Sequence, residues 1–175
     1  MNQTGPMIIH TYPDPVLRER AKAVDDIDED LLTLIDRMAE TMYEAPGIGL
    51  AANQVGSLQR VVVYDLTPRD EGRNLKVLIN PEIVLAEGET HYEESCLSVV
   101  DYSADVVRNA NVKVRGVDRK GRPVDVEADG LLAICLQHEI DHLNGVLYID
   151  HISNLKRALY KKKLKKMMKK DPASW

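Results

Sequence analysis

The stretch AICLQHEIDHLNG, residues 133–145, carries two histidines four residues apart and a glutamate beside the first. Helical periodicity is predicted from Gly130 to Leu143, with Asp129 as N-cap and Asn144-Gly145 as the stop. On such a helix positions i and i+4 share a face, so His138 and His142 present both imidazoles to one point. Glu139 lies about 100° further round the axis, out of ligand position but beside a metal-bound water. The pattern suits metal-assisted hydrolysis, with a carboxylate as proton acceptor.

Two imidazoles do not hold a catalytic metal, so a third ligand is required. One metalloprotease pattern puts a histidine six residues after the second, but Tyr148 stands there. Another uses a glutamate on a later helix, and no glutamate follows Glu139. Cys135 projects within about 60° of both histidines, yet its backbone lies roughly 7–8 Å along the axis from their midpoint. A cysteine with its bond to a metal reaches only ~5 Å from Cα, so Cys135 faces the site without joining it. Upstream candidates remain: Cys96, His91, Glu93, Glu94, His10 and scattered acids. Cys96 is the attractive one, because a thiolate suits a soft or borderline cation.

Around this helix the chain reads as α+β. DIDEDLLTLIDRMAETMYEAPGIG places Leu31, Ile35, Met38 and Met42 at helical spacing, capped by Asp28 and stopped at Pro46-Gly47. Runs 59–66 and 75–84 are β-branched and bounded by turn formers, and THYEESCLSVV follows. VKVRGVD and PVDVEA flank RKGR as a hairpin. YIDHIS is expected to add a short strand, and Ser153 to cap a final helix reaching about Lys169. The elements do not alternate as in a parallel α/β fold, and there is no repeat.

With 175 residues, 44% of them hydrophobic and 29% charged, the chain suits one globular domain. It has no apolar run of membrane-spanning length and no basic-then-apolar leader at MNQTGPMIIHTYPDP, so a cytoplasmic location is expected. Two cysteines argue against a disulfide framework. The net charge of −5 is unevenly spread: nine of the 23 Lys and Arg, but one of the 28 acids, lie from His151 onward. A basic tail on an acidic body suits a polyanionic or acidic partner.

Three blocks, GIGLAANQVG (47–56), EESCLSV (93–99) and LQHEIDHLNG (136–145), resemble in order and spacing the signature motifs of the peptide deformylase family, in its bacterial form with a C-terminal helix. The resemblance extends from TYPDPVL through ADGLLAICLQHE. It implies a deformylase-like α+β fold, with small antiparallel sheets around a central metal-binding helix. The catalytic domain would span 1–152, with 153–175 its basic helix and tail. It implies hydrolysis of the N-formyl group from N-formylmethionine of new polypeptides, releasing formate. Cys96, His138 and His142 would hold Fe2+, with Zn2+, Ni2+ or Co2+ as possible occupants. Glu139 would be the general base, and the Gln54 side chain and Leu97 N–H would stabilise the oxyanion. An extended peptide would lie against 47–50 and 93–97, Gly49 and Ser95 included. Ile48, Leu131, Ile134 and Cys135 would line the methionine pocket, with Tyr92 or Glu94 at its rim.

The residues themselves agree. GIGLAANQ is small and glycine-punctuated, which lets a ligand approach the backbone, and it lacks the Gly-Lys-Ser/Thr ending of a phosphate loop. On the residues alone, another amidase or peptidase and a non-catalytic ribosome-binding relative remain open. Three positions depart from the family: Ser95 replaces a usual glycine, Val100 a proline and Ser103 an arginine at the mouth. Altered preference beyond the first substrate residue is expected from these.

The last helix has two apolar faces. Leu155, Ala158 and Leu159 are expected to dock on the body, leaving Tyr160, Leu164, Met167 and Met168, ringed by lysine, for a partner. The resemblance makes that partner the ribosome near its tunnel exit, with no specific nucleic-acid sequence and no membrane involved.

Overall fold

A computed structural model describes residues 5–170. Its helices are α1 (Glu29–Glu44), α2 (Gly130–Leu143) and α3 (Asn154–Lys170). Its strands are β1 (Gly49–Ala51), β2 (Val61–Tyr64), β3 (Lys76–Glu87), β4 (Thr90–Cys96), β5 (Val99–Arg108), β6 (Asn111–Val117) and β7 (Pro123–Asp129). All seven pair antiparallel, as a five-stranded sheet in the order β1-β2-β3-β6-β7 and a separate β4-β5 hairpin. The fold is α+β with small antiparallel sheets around a central helix, as expected.

Strand β2 reads Val-Val-Val-Tyr because both of its faces are covered. Val62 and Tyr64 pack with Leu136, Ile140 and Leu143 of α2. Val61 and Val63, on the other face, pack with Leu31, Ile35, Met38 and Met42 of α1. The five-stranded sheet is therefore sandwiched, and α2 is enclosed. Ten of its residues are buried, His138, Glu139 and His142 among them. A helix buried all round needs no strong amphipathic stripe.

The helix ends follow the sequence with one correction. Asp28 accepts the Leu31 N–H at 2.8 Å and caps α1. Ser153 accepts the Lys156 N–H at 3.3 Å and caps α3. Asp129 occupies the N-cap position of α2 but its side chain makes no capping bond. It is still the last residue of β7, paired with Asn111, and strand alternation turns it outward while Ala128 points in. Gly145 ends α2 at φ +74°, where any Cβ would collide with the Arg18 carbonyl.

Two further expectations are corrected. YIDHIS is not a strand: Tyr148–Asp150 form a 3₁₀ turn that buries both Tyr148 and Ile149, which alternation in a strand would not do. The docking face of α3 is the opposite of the one expected. Tyr160 and Leu164 are buried, whereas Leu155, Ala158 and Leu159 are exposed. Tyr160 stacks on Tyr102 at 4.5 Å and donates its hydroxyl to the Val100 carbonyl at 3.3 Å. The face with the larger apolar side chains and a polar tip that finds an acceptor takes the interior. The tail expected at 171–175 lies outside the described residues.

Candidate metal centre

Helix α2 and the end of β4 build the site. The β4–β5 register shifts between Ser95 and Cys96, where the hairpin tightens so that Cys96 pairs with Val99. That turn holds the Cys96 thiol over the histidine face of α2. Cys96 Sγ lies 3.2 Å from His142 Nε2, which lies 3.3 Å from His138 Nε2. The ligand atoms of all three lie within 4.8 Å of one another. The remaining candidates are engaged elsewhere: His91 with Asp105, His10 with Asp14 and Glu93 with Ser103. Cys135 is outside the cluster; burial pushes its thiol up, and Sγ points to the Ile48 carbonyl at 3.9 Å.

The donor set fits a metal ion. Glu94 Oε2 sits 2.8 Å from His138 Nδ1, which fixes the proton there and leaves the Nε2 lone pair facing inward. That lone pair, the second imidazole nitrogen, His142 Nε2, and the Cys96 sulfur then converge on one point. A borderline divalent ion meets that arrangement.

Glu94 is where the sequence expectation needs correction. Its carboxylate is not at the rim of a pocket but buried beneath the metal site. Arg108 grips it through two hydrogen bonds, Nε to Oε1 at 2.6 Å and Nη2 to Oε2 at 3.0 Å. Arg108 also donates to Asp141 at 2.5 Å, and His151 Nε2 lies 2.7 Å from the same Asp141 oxygen. Burial alone would raise the Glu94 carboxyl; the bonds from His138 and Arg108 outweigh it and hold it down at about 2. Arg108, Asp141 and Ser98 did not emerge from the sequence. Alternation from Cys96 puts Glu94 on the ligand's own face, and alternation from Val106 puts Arg108 inward, which is the signal that was there to use.

Gln54 has its amide orientation set by its neighbours. Oε1 accepts the Ala51 N–H at 2.9 Å, so Nε2 turns toward Ser98 Oγ at 3.1 Å and Cys96 Sγ at 3.6 Å. Glu139 is buried beside the cluster with Oε2 free of any partner among the described residues. Desolvation pushes its carboxyl up to about 7, the range of a general base at neutral pH.

A cavity of about 390 Å³ opens from these groups. Gln54, Cys96, Leu97, His138 and Glu139 line its floor; Ile48, Gly49, Leu131, Ile134 and Cys135 line one wall; Tyr92, Glu93, Glu94 and Ser95 line the other. Tyr92, 42% exposed, is the rim residue. Ser95 is exposed on β4 opposite Ser103, and Ser103 Oγ donates to Glu93 Oε1 at 2.6 Å.

The family model described as polypeptide deformylase matches residues 6–158. A peptide deformylase of Syntrophobacter fumaroxidans is 54% identical over 165 residues, covering 94% of this chain and 97% of that one. One of Thermodesulfovibrio yellowstonii is 54% identical over 157 residues, covering 90% and 95%. Among solved structures, a Legionella pneumophila peptide deformylase superposes with a TM-score of 0.89 at 45% identity, covering 96% and 98%. An Ehrlichia chaffeensis peptide deformylase in complex with actinonin gives 0.88 at 37%, covering 94% and 98%.

Proposed function

The chain belongs to the peptide deformylase family and is a metallohydrolase that removes the N-formyl group from new polypeptides; from that premise we propose how its own residues do so. The observation that carries the reading is the convergence of Cys96, His138 and His142 beside the unpartnered oxygen of Glu139. The three ligands would hold a divalent ion, ferrous iron by resemblance, which would supply the Lewis acidity that makes water nucleophilic at neutral pH. Glu139 accepts the proton released in the attack on the formyl carbon and returns it to the departing α-amine. Gln54 Nε2, pre-aimed by the Ala51 N–H, donates to the formyl oxygen as it becomes anionic, and the Leu97 N–H is the second donor. The Ala51 N–H holds the Gln54 amide in place while Nε2 exchanges its long contact with Cys96 Sγ for the formyl oxygen. Glu94 and Arg108 take no part in proton transfer; they fix the tautomer of His138.

The substrate lies extended along β1, the edge strand of its sheet, with the methionine side chain against Ile48, Leu131, Ile134 and Cys135. Cys135 serves as an apolar wall, a role its raised pKa supports. A tripeptide such as formyl-Met-Ala-Ser tests the whole reading. Anaerobic assay with iron, then zinc, should give formate with faster turnover on iron, and no cleavage of internal peptide bonds. Glu139→Ala should bind metal to wild-type stoichiometry and release no formate; formate release by that variant would sink the assignment of the base.

We further propose a cytoplasmic enzyme that docks on the ribosome through α3. No helix among the described residues is long and apolar enough to cross a membrane. With Tyr160 and Leu164 committed to the core, the surface offered to a partner is Leu155 and Leu159, 71% and 59% exposed, together with Lys162 and Lys166 on the same side. Changing Leu155 and Leu159 to Ser and the two lysines to Glu should weaken co-sedimentation with ribosomes while sparing activity on short peptides. Undiminished co-sedimentation would refute the docking face.

A further inference from the structure

Beside the metal cleft lies a second cavity, of about 400 Å³, lined by Tyr43, Leu66, Thr67, Arg69, Arg73 and their neighbours. Its edge is Gly47 and Ile48, which also line the metal cleft, so the two are continuous across the backbone just before β1. The Asp65 N–H donates to the Ile48 carbonyl at 2.9 Å and pins the start of the 65–73 loop to that edge. A peptide whose formyl end is at Cys96 and which runs along Gly49 toward Gly47 must leave the metal cleft over this second cavity.

The charges of the cavity are unequal in availability. Asp65 is its one carboxylate, and it is buried and fully engaged. Tyr43 hydroxyl and Asn74 N–H donate to Oδ2, each at 2.6 Å, and Thr67 N–H donates to Oδ1 at 2.9 Å. Burial raises Asp65, but these bonds prevail and hold it at about 2, so it spends its charge on the loop. Tyr43, raised to about 12 by burial and by Asp65, stays a neutral donor. The two cations are free by comparison. Arg73 lies 4.1 Å over the Tyr43 ring, and neither it nor Arg69 forms an ion pair among the described residues. The loop's other acids, Asp70 and Glu71, are not part of the lining.

We propose that this cavity is a subsite for an acidic side chain of the substrate, with Arg73 and Arg69 as its cationic walls. At ~3.3 Å per extended residue, and with Gly47 two positions from Gly49, the side chain concerned is about the third to fifth of the substrate. Two exposed guanidinium groups contribute modestly each, and more to encounter than to tight binding. The proposal rests on the deformylase reading, because that reading sets the direction of the peptide.

The test uses C-terminally amidated peptides, so that side chains are the only carboxylates: formyl-Met-Ala-Ala-Asp-Ala and its Lys counterpart, with formyl-Met-Ala amide alongside. At low salt the Asp peptide should show about threefold to tenfold higher kcat/KM than the Lys peptide, through KM. The ratio should fall toward unity by about 500 mM NaCl. R69E/R73E should invert it, and the milder R69Q/R73Q should abolish it. A wild-type ratio near one, or a ratio unmoved in both double variants, overturns the subsite. Failure of the underlying reading looks different: no formate from any peptide, formyl-Met-Ala amide included.

Discussion

Gly49→Ala should leave the metal centre intact and remove most of the turnover. A Cβ built on Gly49 falls 2.6 Å from Glu139 Oε1 and 2.9 Å from both Glu139 Cγ and Cys135 Sγ. Carbon contacts become comfortable at about 3.5 Å, so the carboxylate must withdraw by about 1 Å. It has little freedom to do so, since Glu139 is enclosed on α2 and Cys135 blocks the other side of the methyl. A displacement of about 1 Å at a reacting group costs about 100-fold in rate, or about 2.7 kcal/mol in the barrier. The three atoms nearest the methyl all belong to Glu139 and Cys135, and none to the ligands Cys96, His138 and His142. Single-turnover formate release, read beside metal content by atomic absorption, separates the two effects. A kcat within threefold of wild type would refute the argument, and so would metal loss in proportion to the lost activity. Either would show that the glycine serves peptide approach or the fold rather than the position of the base.

Three other perturbations have signed outcomes. Glu139 is a carboxyl raised from 4.5 to about 7, so the folded state holds its proton more tightly than the unfolded chain. The stability this gives is complete below pH 4.5 and is lost as pH rises to about 7. Metal-free Glu139→Gln should therefore be more stable than metal-free wild type by about 3 kcal/mol at about pH 8, and equal to it at about pH 4; urea midpoints at the two pH values check this, and equal midpoints at both would contradict it. Glu94→Gln breaks the buried bidentate pair and leaves the Arg108 guanidinium, 5% exposed, with Asp141 as its remaining carboxylate. It should cost about 3–5 kcal/mol in urea unfolding and weaken metal retention against a chelator by about 10–100-fold, and a change below twofold in both would contradict it. On α3, Leu164→Ala should cost about 2–4 kcal/mol and Leu159→Ala less than about 0.5, as one side chain is 3% exposed and the other 59%; the reverse order would restore the facing read from the sequence.

Local geometry was the legible part of this chain. The 3.6-residue period located α1 and α2, and the rise along α2 alone excluded Cys135 as a ligand although it shares a face with His138. The structure agrees, with that thiol directed at the Ile48 carbonyl. Strand β1 was not legible because it is three residues long, and nothing in GLA alternates. The facing of α3 was not legible either. Both of its stripes are apolar, and what selects between them is the platform of Tyr12, Tyr102 and Tyr148, all outside α3 and the first two far back in the chain.

The missed part of the site has a different cause, and it was recoverable. Glu94 and His138 are 44 residues apart, and Arg108 meets Asp141 across 33, so no spacing rule joins them. Parity does. In ESC, Glu94 is two residues before Cys96; if Cys96 faces a metal, Glu94 faces the same way and must be buried with it. In ADVVR, Ala104, Val106 and Arg108 share the inward face of β5, and a charged side chain at an inward position demands a partner of opposite sign. The register joins the two strands, setting Glu94 against Ala104, so the inward acid and the inward base belong to one layer. A carboxylate that must be ionised inside a protein needs just such a cation, and a histidine ligand needs just such a carboxylate. Alternation, register and charge together place Arg108, Glu94 and His138 in one chain of contacts behind the ligand cluster.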